Sequence, residues 1–342
     1  MSKGLINTLR TALRLRLKRQ KFIVRALWKR RELQAVVDRT AQIKRDEILV
    51  FGTIRNEIGR LPHFLSYYRA LGIRHFLFVD NGSDDGSRAF LADQPDVSLW
   101  TTSASYKRSR YGVDWVMWLL WKYGHGHWTL TLDADELLVF PHNESRSLRD
   151  LTNHLESTAR RSFGAVMIDL YPKGPVSDQT FQSGDDPLSI LKWYDGDNIR
   201  YQKQMPMENY WIQGGVRERV FFADELRRSP TLNKIPLVKW SRRFAFVNST
   251  HSMLPKRLNR VYDHNGNTPP SGALLHTKFL PEITRKSVEE KHRKEHFANS
   301  VLYERYYDAL AENPDLWCET SVKYEGWEQL ENLGLLSRGD WD

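Results

Sequence analysis

The chain is poor in cysteine and has no long hydrophobic segment. Its 342 residues include one cysteine, Cys318, which excludes an intramolecular disulfide and a cysteine-based metal site. The most apolar stretch, from Val113 to Trp121, contains Asp114 and is too short to span a bilayer. We therefore expect a protein of a reducing compartment and predict a cytoplasmic location, with peripheral attachment to the inner face of the membrane as an extension of that prediction.

Internal repeats, a P-loop and a Ser/His/Asp signature are also missing from the sequence. The hydrophobic share of 40% is enough for the core of one large domain or two small ones. The chain is rich in aromatic residues, with 12 Trp, 14 Tyr and 15 Phe, which suit a core and also suit stacking on sugar rings. Residues 171–212 combine several aromatic rings with Pro, Gly and Asp, which is typical of a lid or an acceptor surface; core packing is the ordinary alternative.

The net charge of +9 is concentrated at the amino terminus. Residues 1–31 hold eleven Lys and Arg and no acid, and the charges are not followed by the apolar core of a secretory signal. Apolar residues recur at helical spacing among the charges, at Ile6, Leu9, Leu13, Leu17, Val24 and Leu27. This pattern predicts a basic amphipathic helix that lies on an anionic membrane surface, with a solvated extension as the alternative. Nucleic acid is not expected as a partner, because only Phe22 and Trp28 are interleaved aromatics.

From Glu47 onward, apolar strands alternate with amphipathic helices. We predict strands at 48–53, 75–80, 97–102 and 128–133, and helices at 61–72, 87–93 and 111–124. Strands separated by helices at this spacing indicate an α/β fold with parallel strand pairs and right-handed crossovers. The predicted domains are a basic extension (1–46), an α/β domain (47–280, with halves 47–140 and 141–280) and a C-terminal helical region (281–342). In that last region Ile283, Val288, Phe297, Leu302 and Tyr306 are predicted to face inward.

The central stretch of the sequence is WTLTLDADELLVF, from Trp128 to Phe140. It reads as a buried strand that ends on Asp133 and Asp135, followed directly by Glu136. Carboxylates this close raise each other's pKa unless a cation lies beside them. A divalent metal is the simplest such cation, because Mg²⁺ and Mn²⁺ prefer oxygen ligands. The ordinary alternative is a strand end whose aspartates cap the next turn.

Three motifs in this region occur in a recognisable order. They are FGTIRNE, FLFVDNGSDDGS and WTLTLDADELLVF. Together they resemble the nucleotide-sugar-binding half of family 2 type glycosyltransferases with the GT-A fold. The resemblance is to the bacterial "glycosyltransferase 2-like" group in particular. The resemblance covers residues 47–140, and GGVRERVF, KIPLVKW and ALLHTKFL are similar to later blocks of that group. One departure is His63, where the family often has an acid.

The resemblance implies both a fold and an activity. The expected fold is GT-A type: a Rossmann-like, mostly parallel sheet flanked by helices, here with the basic N-terminal helix and a C-terminal helical extension. The expected activity is metal-dependent, inverting transfer of a sugar from a nucleotide sugar, with UDP the favoured nucleotide. The acceptor would be a glycan or a lipid-linked molecule, as in surface polysaccharide synthesis, and the cofactor Mn²⁺ or Mg²⁺.

The resemblance also implies roles for individual residues in metal and donor binding. Asp135 would be a direct metal ligand, and Asp133 would reach the metal through water or bind the ribose. For a third ligand we predict His276, with His251 as the rival and a core histidine as the ordinary alternative. The predicted donor-binding residues are Thr53, Arg55, Asn56, Glu57, Asp80, Asn81, Asp84, Asp133 and Ala134. Asn81 and Asp84 are also common turn formers.

An inverting transfer needs one carboxylate to accept the proton of the acceptor hydroxyl. We predict Glu218 of GGVRERVF for this role. Read as a strand, that segment would place Arg217 and Arg219 on the face opposite Glu218. Asp169 is the second candidate, and an ion-paired structural glutamate is the ordinary alternative for Glu218.

Two other functions are compatible with the same sheet. A sugar-phosphate nucleotidyltransferase would share the sheet and the metal, but it usually has a Gly-rich basic loop after the first strand, which FGTIRNE lacks. A non-catalytic glycan-binding relic of the fold, or an assembly factor, would need no metal pair. Asp80, Asp133 and Asp135 argue against that second alternative.

Overall fold

The computed structural model describes residues 3–262, 269–287 and 300–342. Its helices include α1 (Lys3–Lys29), α2 (Leu61–Ala70), α3 (Ser87–Asp93), α4 (Val113–Tyr123), α5 (Leu148–Ser157), α6 (Gly215–Phe221), α7 (Ser300–Ala311) and α8 (Trp327–Asn332). Its strands are β1 (Gln34–Val37), β2 (Leu49–Ile54), β3 (His75–Asp80), β4 (Val97–Thr101), β5 (Trp128–Thr131), β6 (Glu136–Val139), β7 (Ser162–Asp169), β8 (Trp193–Tyr194), β9 (Arg200–Gln204), β10 (Asn209–Gln213), β11 (Asn233–Lys239), β12 (Ala245–Phe246), β13 (Met253–Leu254), β14 (Gly272–His276) and β15 (Val322–Lys323).

A nine-stranded sheet forms the centre of the described part, in the order β1-β4-β3-β2-β5-β11-β7-β14-β6. Strands β4, β3, β2, β5, β7 and β14 run in one direction, and β1, β11 and β6 run against them. The predicted α/β class with a mostly parallel sheet is therefore confirmed. Because β2, β3, β5, β7 and β14 share a direction, their carboxyl ends meet at one edge of the sheet.

Both faces of the sheet are buried, and alternation along each strand divides its side chains between two cores. On β3, Phe76 and Phe78 face the core that contains α2, α3 and α5, whereas Leu77 and Val79 face the core that contains α4 and Ala26 of α1. A sheet covered on both faces favours continuous apolar strands, as HFLFVD illustrates.

The predicted elements between residues 47 and 133 are confirmed to within two residues at each end. Helix α2 has Pro62 in its first turn and buries Phe64, Leu65 and Tyr68. One later element differs from the prediction. The segment GVRERVF forms helix α6 (Gly215–Phe221), so the strand predicted for Glu218 is wrong.

The N-terminal segment is joined to the rest of the fold. Helix α1 confirms the predicted helix, and β1 pairs antiparallel with β4 at the edge of the main sheet. Residues 1–46 therefore contribute both a helix and a sheet strand. Within the described ranges, no helix is long and apolar enough to cross a membrane.

The C-terminal region contains α7 and α8 together with β15, which pairs with β8. Ile283 and Tyr306 are buried, as predicted. Val288, Phe297 and the side chain of Leu302 lie outside what the structure describes.

Candidate functional site

A cavity of about 590 Å³ opens at the carboxyl edge of the sheet. The segments that follow β2, β5 and β14 line it, as does the amino-terminal end of the antiparallel strand β11. Its volume falls within the range of small-molecule sites. Ligands of open α/β sheets bind at this edge, so the cavity is where the sequence motifs predicted a site.

Many of the side chains that line the cavity are charged. Four carboxylates line it: Glu57, Asp133, Asp135 and Glu136. Two imidazoles line it as well, those of His251 and His276. The cationic residues that line it are Arg55, Arg60, Arg217, Lys234, Lys278 and Lys286. Cations therefore outnumber carboxylates, which favours an anionic ligand.

The acidic loop after β5 is partly neutralised by a lysine of the chain itself. Lys234 donates to Asp133 at 2.9 Å and also contacts Glu136. Burial alone would lower the pKa of Lys234, but these two carboxylates outweigh it and raise that pKa above its usual value. The Asp133 side chain is 57% exposed and that of Glu136 only 1%. Lys234 thus supplies a cation beside Asp133 and Glu136, although burial still raises the pKa of Glu136 to about 7.

Asp135 has a different partner, His276. Its Oδ2 lies 3.0 Å from Nε2 of His276, and Nδ1 of the same ring lies 2.5 Å from Oδ1 of Asp169. His276 and Asp169 are register partners in the parallel ladder of β14 and β7, which explains their contact. Burial would lower the pKa of His276, but the carboxylates of Asp135 and Asp169 raise it above its usual value.

The predicted metal ligands are only partly assembled. Across the described ranges, no group of three or more His, Cys, Asp and Glu side chains could hold a metal ion. Mg²⁺ in nucleotide sites typically uses one or two protein carboxylates and completes its shell with phosphates and water. Asp135 would supply one such carboxylate, and His276 would supply a ring nitrogen once its proton is lost. Asp169 contacts Nδ1 of that ring, as carboxylates commonly do beside metal-binding histidines. Asp133 lies beside them but pairs with Lys234.

Besides Asp133, the predicted donor-binding residues that line the cavity are Thr53, Arg55, Asn56, Glu57, Asn81 and Ala134. Arg55 donates to the carbonyl oxygen of Asn81 at 2.7 Å, and the Asn81 amide donates to the carbonyls of Thr102 and Ala104. Glu57 accepts from Arg60 at 2.9 Å and from Lys286 at 3.0 Å. The Arg55 contact joins the loop after β2 to the loop after β3, and the Lys286 contact joins the loop after β2 to the segment after β14.

Asp80 and Asp84 are not among the residues that line the cavity. Asp80 is fully buried, and its carboxylate accepts from the Ser83 amide at 3.1 Å and from the Thr101 hydroxyl at 3.2 Å. Asp84 is exposed and its amide donates to Asn56. Both residues shape the loop after β3, the ordinary role of such turn formers.

The two predicted catalytic bases do not line the cavity either. Glu218 is buried on α6, where it pairs with Arg200 and accepts from the Ser229 hydroxyl at 2.6 Å. Asp169 is buried between His276 and Arg217, whose Nε lies 2.7 Å away. Its contacts make Asp169 a positioning residue for His276. The strand geometry that favoured Glu218 is wrong, because α6 directs Arg217 rather than Glu218 into the cavity.

Three residues in left-handed backbone conformations also line the cavity. Asn56, Tyr111 and Ser249 have φ angles of 52°, 60° and 44°. Such conformations are uncommon outside glycine and cluster at functional sites.

Several cationic residues of the cavity were not predicted from the sequence. Arg60 is buried and pairs with Glu57 and with Glu282, which lies 222 residues after Arg60 in the chain. Lys234 sits in the apolar segment KIPLVKW, and a lysine within a buried strand is a signal that it has an acidic partner. Lys278 follows His276 by two residues, a spacing that brings both side chains to the cavity.

No protein family model matches the chain, and no curated protein is similar enough to match it. Among the solved structures that match, two examples show how weak the similarity is. HddC from Yersinia pseudotuberculosis has 11% identity and a TM-score of 0.27, over 72% of this chain and 99% of that chain. An apo UDP-glucose pyrophosphorylase has 9% identity and a TM-score of 0.30, with the same coverage. Similarity at this level shows neither a family nor an activity for this chain, and the chemistry of the cavity is the basis for a functional assignment.

Proposed function

We propose that this protein is a metal-dependent glycosyltransferase that transfers a sugar from a nucleotide sugar, with UDP the favoured nucleotide, to a glycan or lipid-linked acceptor. The observation that carries the proposal is the contact chain Asp169, His276, Asp135 at the edge of a cation-rich cavity. The resemblance of FGTIRNE, FLFVDNGSDDGS and WTLTLDADELLVF to the GT-A glycosyltransferases supports it independently.

In such a reaction the acceptor oxygen bonds to the anomeric carbon while the bond from that carbon to the diphosphate breaks. The leaving diphosphate gains negative charge, which fixed cations stabilise. Arg60, Lys278 and Lys286 are cations that line the cavity. A divalent cation held by Asp135 and His276 would offset part of that charge. For an inverting reaction, the acceptor proton would pass to a carboxylate that lines the cavity rather than to Glu218.

The test is release of nucleoside diphosphate from a panel of nucleotide sugars, with Mn²⁺ and with EDTA. We expect release that needs the metal and that falls at least tenfold in Asp135→Asn. Asp340→Asn is a control, because Asp340 also pairs with a histidine and an arginine but lies away from the cavity. Pyrophosphate formation from a sugar phosphate and a nucleoside triphosphate would instead identify a nucleotidyltransferase. Absence of both reactions and of nucleotide binding would favour a non-catalytic protein.

Membrane attachment through α1 is the second part of the proposal. Large apolar residues on α1 are exposed, among them Leu9 (53%), Leu13 (57%) and Leu17 (60%). At 100° per residue, the exposed set lies within a sector about 100° wide. Phe22 and Ala26 lie on the opposite side and pack into the core with α4. The set consists of Ile6, Leu9, Leu13, Leu17, Val24 and Trp28.

An anionic lipid surface fits this face better than a second copy of the chain does. Arg10, Arg14 and Lys21 border the apolar sector on one side, and residues 1–31 contain no acid to offset the repulsion between two copies. Basic residues next to an apolar stripe are typical of helices that lie in the membrane interface.

Flotation with vesicles tests this part. We expect binding to vesicles of phosphatidylglycerol and phosphatidylcholine but not to phosphatidylcholine alone, and loss of binding in Leu9→Gln, Leu13→Gln, Leu17→Gln. The control is the double variant Leu226→Gln, Leu333→Gln, which removes two exposed leucines outside α1 and should keep vesicle binding. Equal binding of the triple variant, or a concentration-dependent dimer in place of vesicle binding, would contradict it.

A further inference from the structure

Lys278 differs from the other cations of the cavity in its contacts. The side chain is half-buried and lines the cavity. Among the residues that the structure describes, no carboxylate lies within ion-pair distance of its ammonium and no acceptor receives a hydrogen bond from it. The other cations contact a carboxylate or a carbonyl: Arg55 with Asn81, Arg60 with Glu57 and Glu282, Arg217 with Asp169, Lys234 with Asp133 and Glu136, and Lys286 with Glu57.

The backbone around Lys278 is held in place. The amide and hydroxyl of Thr277 both donate to the carbonyl oxygen of Asp135, at 2.7 and 3.1 Å. Arg60 Nη2 donates to the carbonyls of Thr277 at 3.2 Å and Lys278 at 3.3 Å. His276 and Lys278 are the two residues on either side of Thr277, and both line the cavity. Lys278 is therefore positioned by the same contacts that bring His276 to Asp135.

The surroundings of the ammonium favour an anionic ligand. Two cations, Arg60 and Arg217, and two carboxylates, Asp135 and Asp169, act on it, the carboxylates from beyond ion-pair distance. Asp169 pairs with Arg217 and His276 instead. A half-buried cation without a counter-ion is costly, and bound anions commonly compensate such groups. Asp135 is committed to His276 at 3.0 Å, so it does not supply the counter-ion.

We propose that the ammonium of Lys278 binds a phosphate oxygen of the donor's diphosphate, beside the Asp135–His276 pair. This assignment rests on the proposed function, because it takes the ligand of the cavity to be a nucleoside diphosphate derivative. It adds a donor-binding residue from the acceptor half of the sequence, far from the motifs at residues 47–140. Lysine suits this role as a compact point charge.

Binding of UDP and of uridine, measured by calorimetry with Mn²⁺ and with EDTA, tests the assignment. For Lys278→Met we expect UDP affinity to fall about tenfold to a hundredfold, since a charge-assisted hydrogen bond is lost. Affinity for uridine, which has no phosphate, should not change. The melting temperature should stay the same or rise, because an uncompensated charge leaves a half-buried position.

Two control variants separate this role from a general charge effect. Lys239→Met removes one positive charge at the side chain that pairs with Glu156, outside the cavity, and should leave UDP affinity unchanged. Lys278→Arg keeps the charge and should retain most of the affinity. If the wild-type protein binds UDP and Lys278→Met binds it equally well, the role assigned to Lys278 is wrong but the proposed function is not. Failure of the wild-type protein to bind UDP, GDP or ADP would overturn the proposed function and this assignment with it.

Discussion

Asp169 shows how a residue outside the cavity can affect ligand binding. Its two carboxylate oxygens face His276 and Arg217, and both of those side chains line the cavity. Carboxylates that orient a metal-binding histidine typically contribute tenfold to a hundredfold to metal affinity.

We predict that Asp169→Asn weakens Mn²⁺-dependent UDP binding about tenfold to a hundredfold, because the amide no longer holds the His276 ring as a carboxylate does. Binding in EDTA should change much less. Calorimetry with and without Mn²⁺ measures both. Asp340→Asn is the matched control, since it pairs with His154 and Arg160 away from the cavity. An equal loss with and without Mn²⁺ would contradict the positioning role.

Gly112 lies at the amino-terminal end of α4, against a residue of the cavity. Its φ is +75°, and a Cβ there would lie 2.5 Å from Oγ1 of Thr53. We predict that Gly112→Ala lowers the free energy of unfolding by about 1–3 kcal/mol, since strain and the close contact add together.

Gly126→Ala is the control for Gly112→Ala. Gly126 also has a positive φ, +90°, but a Cβ there would meet no atom within 4 Å. Urea unfolding should therefore show the smaller loss for Gly126→Ala. Equal losses of unfolding free energy in the two variants would contradict a cost from the close contact with Thr53.

Strands β3 and β4 share a buried histidine. His75 is 2% exposed, and its Nε2 lies 3.0 Å from the hydroxyl of Ser98 on β4. Burial lowers the pKa of His75 below its usual value. The neutral ring is therefore favoured in the folded state more than in the unfolded chain, where the pKa is about 6.5.

It follows that the stability from His75 is fully present above about pH 6.5 and is lost as the pH falls from there toward the pKa of the folded state. We predict that His75→Gln reduces the drop in melting temperature between pH 7.5 and pH 5. The control is His125→Gln at an exposed position, which should leave the drop in melting temperature unchanged. Identical pH profiles for His75→Gln and wild type would contradict a buried neutral ring.

Helix α6 is an element that sequence periodicity did not predict. The alternating charges of GVRERVF are typical of a strand, yet three consecutive side chains find partners in different directions. Arg217 pairs with Asp169, Glu218 with Arg200, and Arg219 with Asp195. The Gly215 amide also donates to the Asn198 side chain at 2.8 Å, at the start of the helix. These long-range contacts outweigh the local pattern.

Helix α1 has an exposed amino-terminal part and a carboxyl-terminal part that packs on the rest of the protein. Residues 4–10 are exposed wherever their side chains are described, whereas Ala26 and Lys29 are buried. Arg25 also pairs with Asp114 of α4, whose side chain is fully buried, at 2.5 Å.

We predict that removing residues 1–18 changes the free energy of unfolding by less than about 0.5 kcal/mol, since exposed residues contribute little. Removing residues 1–31 should lower it by about 2–4 kcal/mol, because α4 loses packing and Asp114 loses a partner. Urea unfolding of both truncations measures the difference. Equal stability of the two would mean that α1 is not part of the folded core.

Local sequence patterns were enough to predict the elements of residues 47–133 and the location of the acidic motif. Apolar runs such as HFLFVD and the Asp133–Glu136 turn depend on residues within a short window, so local patterns were sufficient. Which charged side chains meet depends on contacts between distant parts of the chain. Lys234 reaches Asp133 across 101 residues and His276 reaches Asp169 across 107, and Glu218 is turned away by α6. Such contacts depend on strand order and register, which spacing along the chain does not encode.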